Sequence, residues 1–182
     1  MNFRPSCLRD VLIVEPRVYE DERGLFMETW EVRKFASGGI SATFVQDNHS
    51  VSQQWVLRGL HYQLKHPQGK LVRVVEGEVF DVAVDLRRSS STFGQWVGEV
   101  LSAANRRIMW VPPGFAHGFL VLSPCAQFLY KCTDFYHPSS EQTLLWNDPD
   151  LAIEWPLPGG TSPIVSAKDR GGRRLLDAEC FA

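Results

Sequence analysis

A chain of 182 residues with 44% hydrophobic and 22% charged side chains is long enough for one compact domain and too apolar to be disordered. Nineteen basic against twenty-one acidic residues give a formal net charge of -2, which removes the electrostatic case for nucleic acid or an anionic membrane surface as a partner. Within the basic set, fourteen Arg against five Lys leave room for a small anionic ligand, because guanidinium forks grip phosphate and carboxylate oxygens in pairs.

The N-terminus carries no apolar run longer than Val11 to Val14, too short for a secretory signal, and this run predicts a strand at 11–15. A short helix fits 29–37, with Thr29 as its cap. Beyond it the apolar period is two, the strand period, at 43–52 and 55–63. The runs 71–75 and 79–85 follow, with Glu76-Gly77-Glu78 between them, and predict a hairpin. In its second arm Asp81 and Asp85 share a face with Ala83, while Phe80, Val82 and Val84 share the other. Further strands are expected at 94–101, 106–111, 117–122 and 126–132. The tail from about 156 to 182 is rich in Pro and Gly and is expected to wrap the surface, with a helical turn after Ser166.

Short strands at regular intervals predict a mainly β domain over 1–182, a sandwich or a barrel with a few short helices. The uncharged stretch Ile108 to Tyr130 is broken by Pro112, Pro113 and Pro124, so no membrane-spanning helix is expected there. Cys7, Cys125, Cys132 and Cys180 lack C-x-x-C spacing and disulfide-scaffold density, and point to reduced thiols in the cytoplasm.

Five histidines carry the first hint of chemistry. The segment PGFAH, 113–117, is similar to the second half-motif of the cupin barrels, and this resemblance implies an antiparallel jelly-roll β-barrel. Metal-binding cupins supply an H-x-H pair upstream, but here the segment reads His61-Tyr62-Gln63. A metal would have to recruit His66 or Glu76 at unsuitable spacing, so no catalytic metal is expected. On its own, His61 is equally a satisfied core histidine or a general base. Gln46 and Asn48 are equally ligand-facing residues or plain residues of a turn or edge strand. The polar runs 46–50, 58–63 and 69–73, set on strands patterned for a barrel, favour a pocket for a polar ligand.

Seven motifs in order give a specific resemblance: DERGLF (21–26), FVQDNHS (44–50), LRGLHYQ (57–63), GKLVR (69–73), FDVAVDLR (80–87), PGFAHGF (113–119) and SAKD (166–169). Together they resemble the dTDP-4-dehydrorhamnose 3,5-epimerases from about residue 8 to 170. The resemblance implies cofactor-independent epimerisation of a dTDP-4-keto-6-deoxy sugar through enolates, with His61 as base, Asp169 orienting it, Tyr130 as acid and Lys70 at the enolate oxygen. It also implies substrate binding by Arg23, Phe26, Glu28, Gln46, Asp47, Asn48, Arg58, His117, Tyr136, Glu141 and Lys168. Arg23 and Arg58 suit the diphosphate, Phe26 and Tyr136 the thymine ring, and Glu28 its N–H. The family's N-terminal segment, about 1–35 here, crosses to a partner subunit, so a homodimer is implied. Relatives that epimerise only C3 or only C5 share the base and the tyrosine. A non-catalytic nucleotide-sugar binding module could dispense with His61, Asp169 and Tyr130.

Overall fold

A computed structural model describes residues 1–182. Its strands in chain order begin with β1 (Asn2–Pro5), β2 (Leu12–Glu15), β3 (Val18–Asp21) and β4 (Gly24–Met27). After helix α1 (Val32–Ser37) come β5 (Gln46–Gln53), β6 (Val56–Gln63), β7 (Lys70–Glu76), β8 (Glu78–Asp85) and β9 (Trp96–Ser102). Then follow β10 (Ile108–Val111), β11 (Phe115–Val121), β12 (Cys125–Cys132), β13 (Glu141–Thr143), β14 (Ile164–Val165) and the single turn α2 (Ala167–Arg170).

Two sheets face each other as a jelly roll, in the orders β1-β2-β10-β7-β12-β5 and β13-β6-β11-β8-β9, with β14 added to β6. The mainly β prediction holds. The two sheets share no hydrogen-bonded strand, however, so they form a sandwich with an open mouth in place of a closed barrel.

Side chains alternating inward from both sheets fill the space between them, among them Ile13, Val72, Ala83, Met109, Phe119 and Phe128. Phe119 stacks on Phe128 at 4.2 Å between ring centroids, and burying each such ring contributes about 1.5–3 kcal/mol. Outside the second sheet, Val82, Val84, Leu86 and Ala116 pack beneath Leu144, Leu151 and Ala178 of the C-terminal half. Outside the first sheet, Phe35, Ile40 and Trp110 form a third cluster around α1. Strand β8 is therefore covered on both faces and is buried almost throughout.

The expected hairpin at Glu76-Gly77-Glu78 does not form. Strand β7 pairs with β10 and β12, whereas β8 pairs with β11 and β9 in the other sheet. Gly77 is thus the corner where the chain crosses between sheets. Its φ is +77°, and a side chain there would run into the Cys125 carbonyl oxygen. Helix α1 is shorter than 29–37, and Glu31 caps it in place of Thr29, its carboxylate accepting the Lys34 N–H at 2.8 Å. Trp30 lies before the helix because its ring is held by Phe35 and Phe44, at 4.4 and 4.6 Å.

Strands β3 and β4 pair only with each other, and Tyr19, Leu25 and Phe26 on them stay more than half exposed. No helix is long and apolar enough to cross a membrane.

Candidate active site

Strand β5 alternates strictly, so Gln46, Asn48, Ser50 and Ser52 turn toward the opposite sheet while Asp47, His49 and Val51 turn away. The inward side chains form a polar ladder. Gln46 Nε2 donates to Asn48 Oδ1 at 3.0 Å, the Asn48 amide reaches Cys132 Sγ at 3.6 Å, and Arg58 Nε donates to Ser52 Oγ at 3.0 Å. Ser50 Oγ is buried with no partner.

Above this ladder, toward the open mouth, lie two adjoining cavities of about 250 Å³ each. They share His61, Lys70, Tyr130, Tyr136 and Glu141 as lining. One extends to Arg58 and His117, the other to Gln46, Asn48 and Cys132.

His61 is fixed by a device at the far end of the chain. Strand β14 pairs in parallel with the start of β6, at Val56 and Leu57, and leads straight into α2. Ser166 caps that turn by accepting the Asp169 N–H, and Asp169 Oδ1 then lies 2.6 Å from His61 Nε2. Oδ2 accepts the Gly59 N–H at 3.4 Å. Gly59 is held at φ +129°, against Gly118 of β11, where no side chain fits. With Nε2–H donating to the carboxylate, the lone pair of the neutral ring sits on Nδ1. Burial lowers the His61 pKa, and Asp169 opposes that shift only in part, so the ring is a neutral base at pH 7. Burial works against the Asp169 carboxylate, but the hydrogen bonds from His61, Gly59 and Ser166 hold its pKa below the usual range.

Tyr130 faces His61 from the other sheet, on β12, where it pairs in register with Asn48 and Val72. Burial raises its pKa, so the phenol keeps its proton and is an acid. Lys70, in register with Cys132, opens β7 at the edge of the cavity and makes no ion pair. Burial pulls its pKa down, while Cys132, Glu141 and Asp81 counteract. A cation without a counter-ion, beside a base and an acid on opposing walls, is an arrangement for proton transfer on both faces of a molecule that develops negative charge between them.

The remaining residues expected from sequence divide into two groups. His117 lies on the cavity wall, its Nε2 bonded to buried Asp81 at 2.9 and 3.1 Å. Glu141 is bound by Lys168 Nζ at 2.7 Å and by the Tyr136 hydroxyl at 2.8 Å, a polar cluster at the mouth. Asp47 points out of the sandwich and pairs with Lys131 at 2.9 Å. Arg23 and Phe26 sit on the β3–β4 arm away from the cavity, Arg23 paired with Asp21, and Glu28 pairs with Lys34 at 2.8 Å. His66 and Glu76, which a metal bound beside His61 would have to recruit, do not line the cavity.

Ser50, Asp81 and Cys132 belong to the site and were not singled out for it from sequence. The alternation of β8 puts Asp81 on the inner face with Ala83, which signals a buried carboxylate in need of a partner. Asp85, on the same face, is structural: Arg87, Ser90 and Thr92 all bond to it.

Residues 5–177 match the family model described as dTDP-4-dehydrorhamnose 3,5-epimerase. A Pseudomonas aeruginosa dTDP-4-dehydrorhamnose 3,5-epimerase is 60% identical over 176 residues, covering 96% of both chains. A Shigella flexneri protein of the same name is 54% identical, over 100% of this chain and 99% of that one. Among solved structures, the dTDP-6-deoxy-D-glucose-3,5-epimerase of Legionella pneumophila, in complex with dTDP-4-keto-L-rhamnose, superposes with a TM-score of 0.94 at 52% identity. It covers 98% of this chain and 94% of that one.

Proposed function

The chain belongs to the dTDP-4-dehydrorhamnose 3,5-epimerase family, and on that premise we propose that it converts dTDP-4-dehydro-6-deoxy-D-glucose to dTDP-4-dehydro-L-rhamnose, inverting C3 and C5. The observation that carries the reading is the opposition of the His61–Asp169 pair on one sheet to Tyr130 on the other, with unpaired Lys70 beside both.

A ketone at C4 acidifies the C–H bonds at C3 and C5. His61 Nδ1 removes such a proton, and the electron pair moves onto the C4 oxygen, which becomes an enolate. The Lys70 ammonium stabilises that oxygen, and Tyr130 returns a proton from the opposite face. Asp169 holds the ring and balances the imidazolium formed in the first step. The inversion is redox-neutral, and its scheme calls for no cofactor.

In the same reading Arg58 meets the diphosphate, Gln46, Asn48 and His117 meet polar groups of the substrate, and Tyr136 with Glu141 and Lys168 closes the nucleoside side. The orphan Ser50 hydroxyl gains a partner when ligand enters. Asp47 contributes through its main chain, since its side chain faces away. Production of dTDP-L-rhamnose when purified protein is combined with substrate and a C4 ketoreductase tests the reaction. A singly inverted sugar in its place would assign the chain to the one-site epimerases.

The protein acts as a cytoplasmic homodimer in this proposal, with residues of about 1–35 completing the partner's site. The support is the β3–β4 arm, which touches neither sheet through hydrogen bonds and exposes Phe26 at 69%. Sedimentation is expected to give twice the 20.6 kDa chain mass, and Arg23→Ala to raise KM while kcat changes little. A monomer with full activity would overturn the shared-site reading.

A further inference from the structure

We propose that His66, Asp134 and His137 form a binding site for one divalent ion of the zinc, nickel or cobalt kind, outside the cavity that holds His61. A ligand atom from each of the three lies within 4.8 Å of the other two. His66 Nδ1 is 3.7 Å from Asp134 Oδ2, and the two imidazoles stack with centroids 4.1 Å apart. Tetrahedral zinc with bonds of about 2.0–2.1 Å to nitrogen and oxygen keeps its ligands about 3.3–3.4 Å apart, so small side-chain rotations bring the three onto one ion. The rings must tilt out of their stack to converge, and no ring hydrogen bond opposes that. Neither ring has a hydrogen-bond partner, and His66 is exposed.

The backbone around the three groups is already fixed. They come from two loops, 64–69 and 133–137, which the buried Gln63 side chain ties together. Its Nε2 donates to the carbonyls of His66 and Phe135, at 2.7 and 3.2 Å, and its Oε1 accepts the His137 N–H at 2.8 Å. Gln68 Nε2 holds the Asp134 carbonyl at 2.8 Å. Asp134 Oδ1 accepts the Phe135 N–H at 2.8 Å, which leaves Oδ2, the oxygen facing His66, without a hydrogen-bond partner. Two imidazoles and a carboxylate make a donor set suited to borderline first-row ions, and the exposed side leaves a position for water.

Such an ion joins the two loops that flank the mouth. Tyr136 lies between two of the ligands in sequence and reaches Glu141 across the opening, so metal at this site would stiffen that contact. This last consequence rests on the function proposed above, whereas ion binding does not.

Calorimetric titration of zinc chloride into the chelator-free full chain is the test. One zinc per chain is expected. His66→Gln and His137→Ala should each weaken binding about tenfold or more, with melting temperature and zinc-free turnover unchanged. Cys7→Ser, which removes the exposed thiol, should bind as the parent does. No uptake of zinc by the parent, undiminished affinity in both histidine variants, or loss of binding in Cys7→Ser would each overturn the site.

Discussion

Replacing His61 with Gln is expected to lower kcat/KM about 10⁴-fold, at the upper end of what a positioned general base contributes. That factor corresponds to about 5.5 kcal/mol of transition-state stabilisation. The amide keeps the bulk of the ring and can still bond to Asp169, so the fold and the carboxylate's environment persist. What disappears is the basic lone pair at Nδ1. Because burial holds the imidazole neutral, the parent carries this base in its working form at pH 7 without waiting for a proton to leave. The prediction is checked by steady-state kinetics beside a dTDP-binding isotherm. Lost turnover with retained nucleotide binding supports the assignment, and turnover within tenfold of the parent would remove His61 from the base role.

Lys70→Met is expected to slow the reaction about 10²–10³-fold, a loss of about 3–4 kcal/mol, as for removal of a donor to a developing oxyanion. The flexible thioether fills the space of the lysine stem but offers nothing to an enolate. Stability distinguishes this role from a structural one. Lys70 makes no ion pair, and its environment already disfavours the charge, so taking the charge away should leave the melting temperature unchanged or raised. A fall in melting temperature with near-normal kcat would show instead that the ammonium holds the fold.

Much of this architecture is legible in the chain because the strands obey simple alternation. The inward run Gln46, Asn48, Ser50 and Ser52 and the placement of Asp81 beside Ala83 both follow from period two. The error at Gly77 has a physical cause. A glycine between two apolar runs turns the chain whether the strands then pair or part, and the decision belongs to neighbours distant in sequence, β10 and β12 on one side and β9 and β11 on the other. Asp169 illustrates the same limit. By local pattern it is a surface turn residue, yet it is 3% exposed, because the β14–β6 pairing carries the last turn of helix against His61. Its role came from the resemblance of SAKD, not from any periodicity. The cap at Glu31 was missed for a local reason: Trp30 and Phe35 pack together and move the helix start past Thr29. His66 and His137 meet only because Gln63 gathers two loops separated by six strands, and no spacing in the sequence announces it.

The enolate mechanism has a base on one wall and an acid on the other exchange protons at two carbons of one sugar. Proton NMR of dTDP-4-dehydro-6-deoxy-D-glucose, incubated with the protein in deuterated water, addresses it most directly. Deuterium incorporated at both C3 and C5, with inversion at each, is the predicted result. Product formed without solvent deuterium at either carbon, or no exchange at all, would contradict the enolate mechanism and with it the roles given to His61, Tyr130 and Lys70.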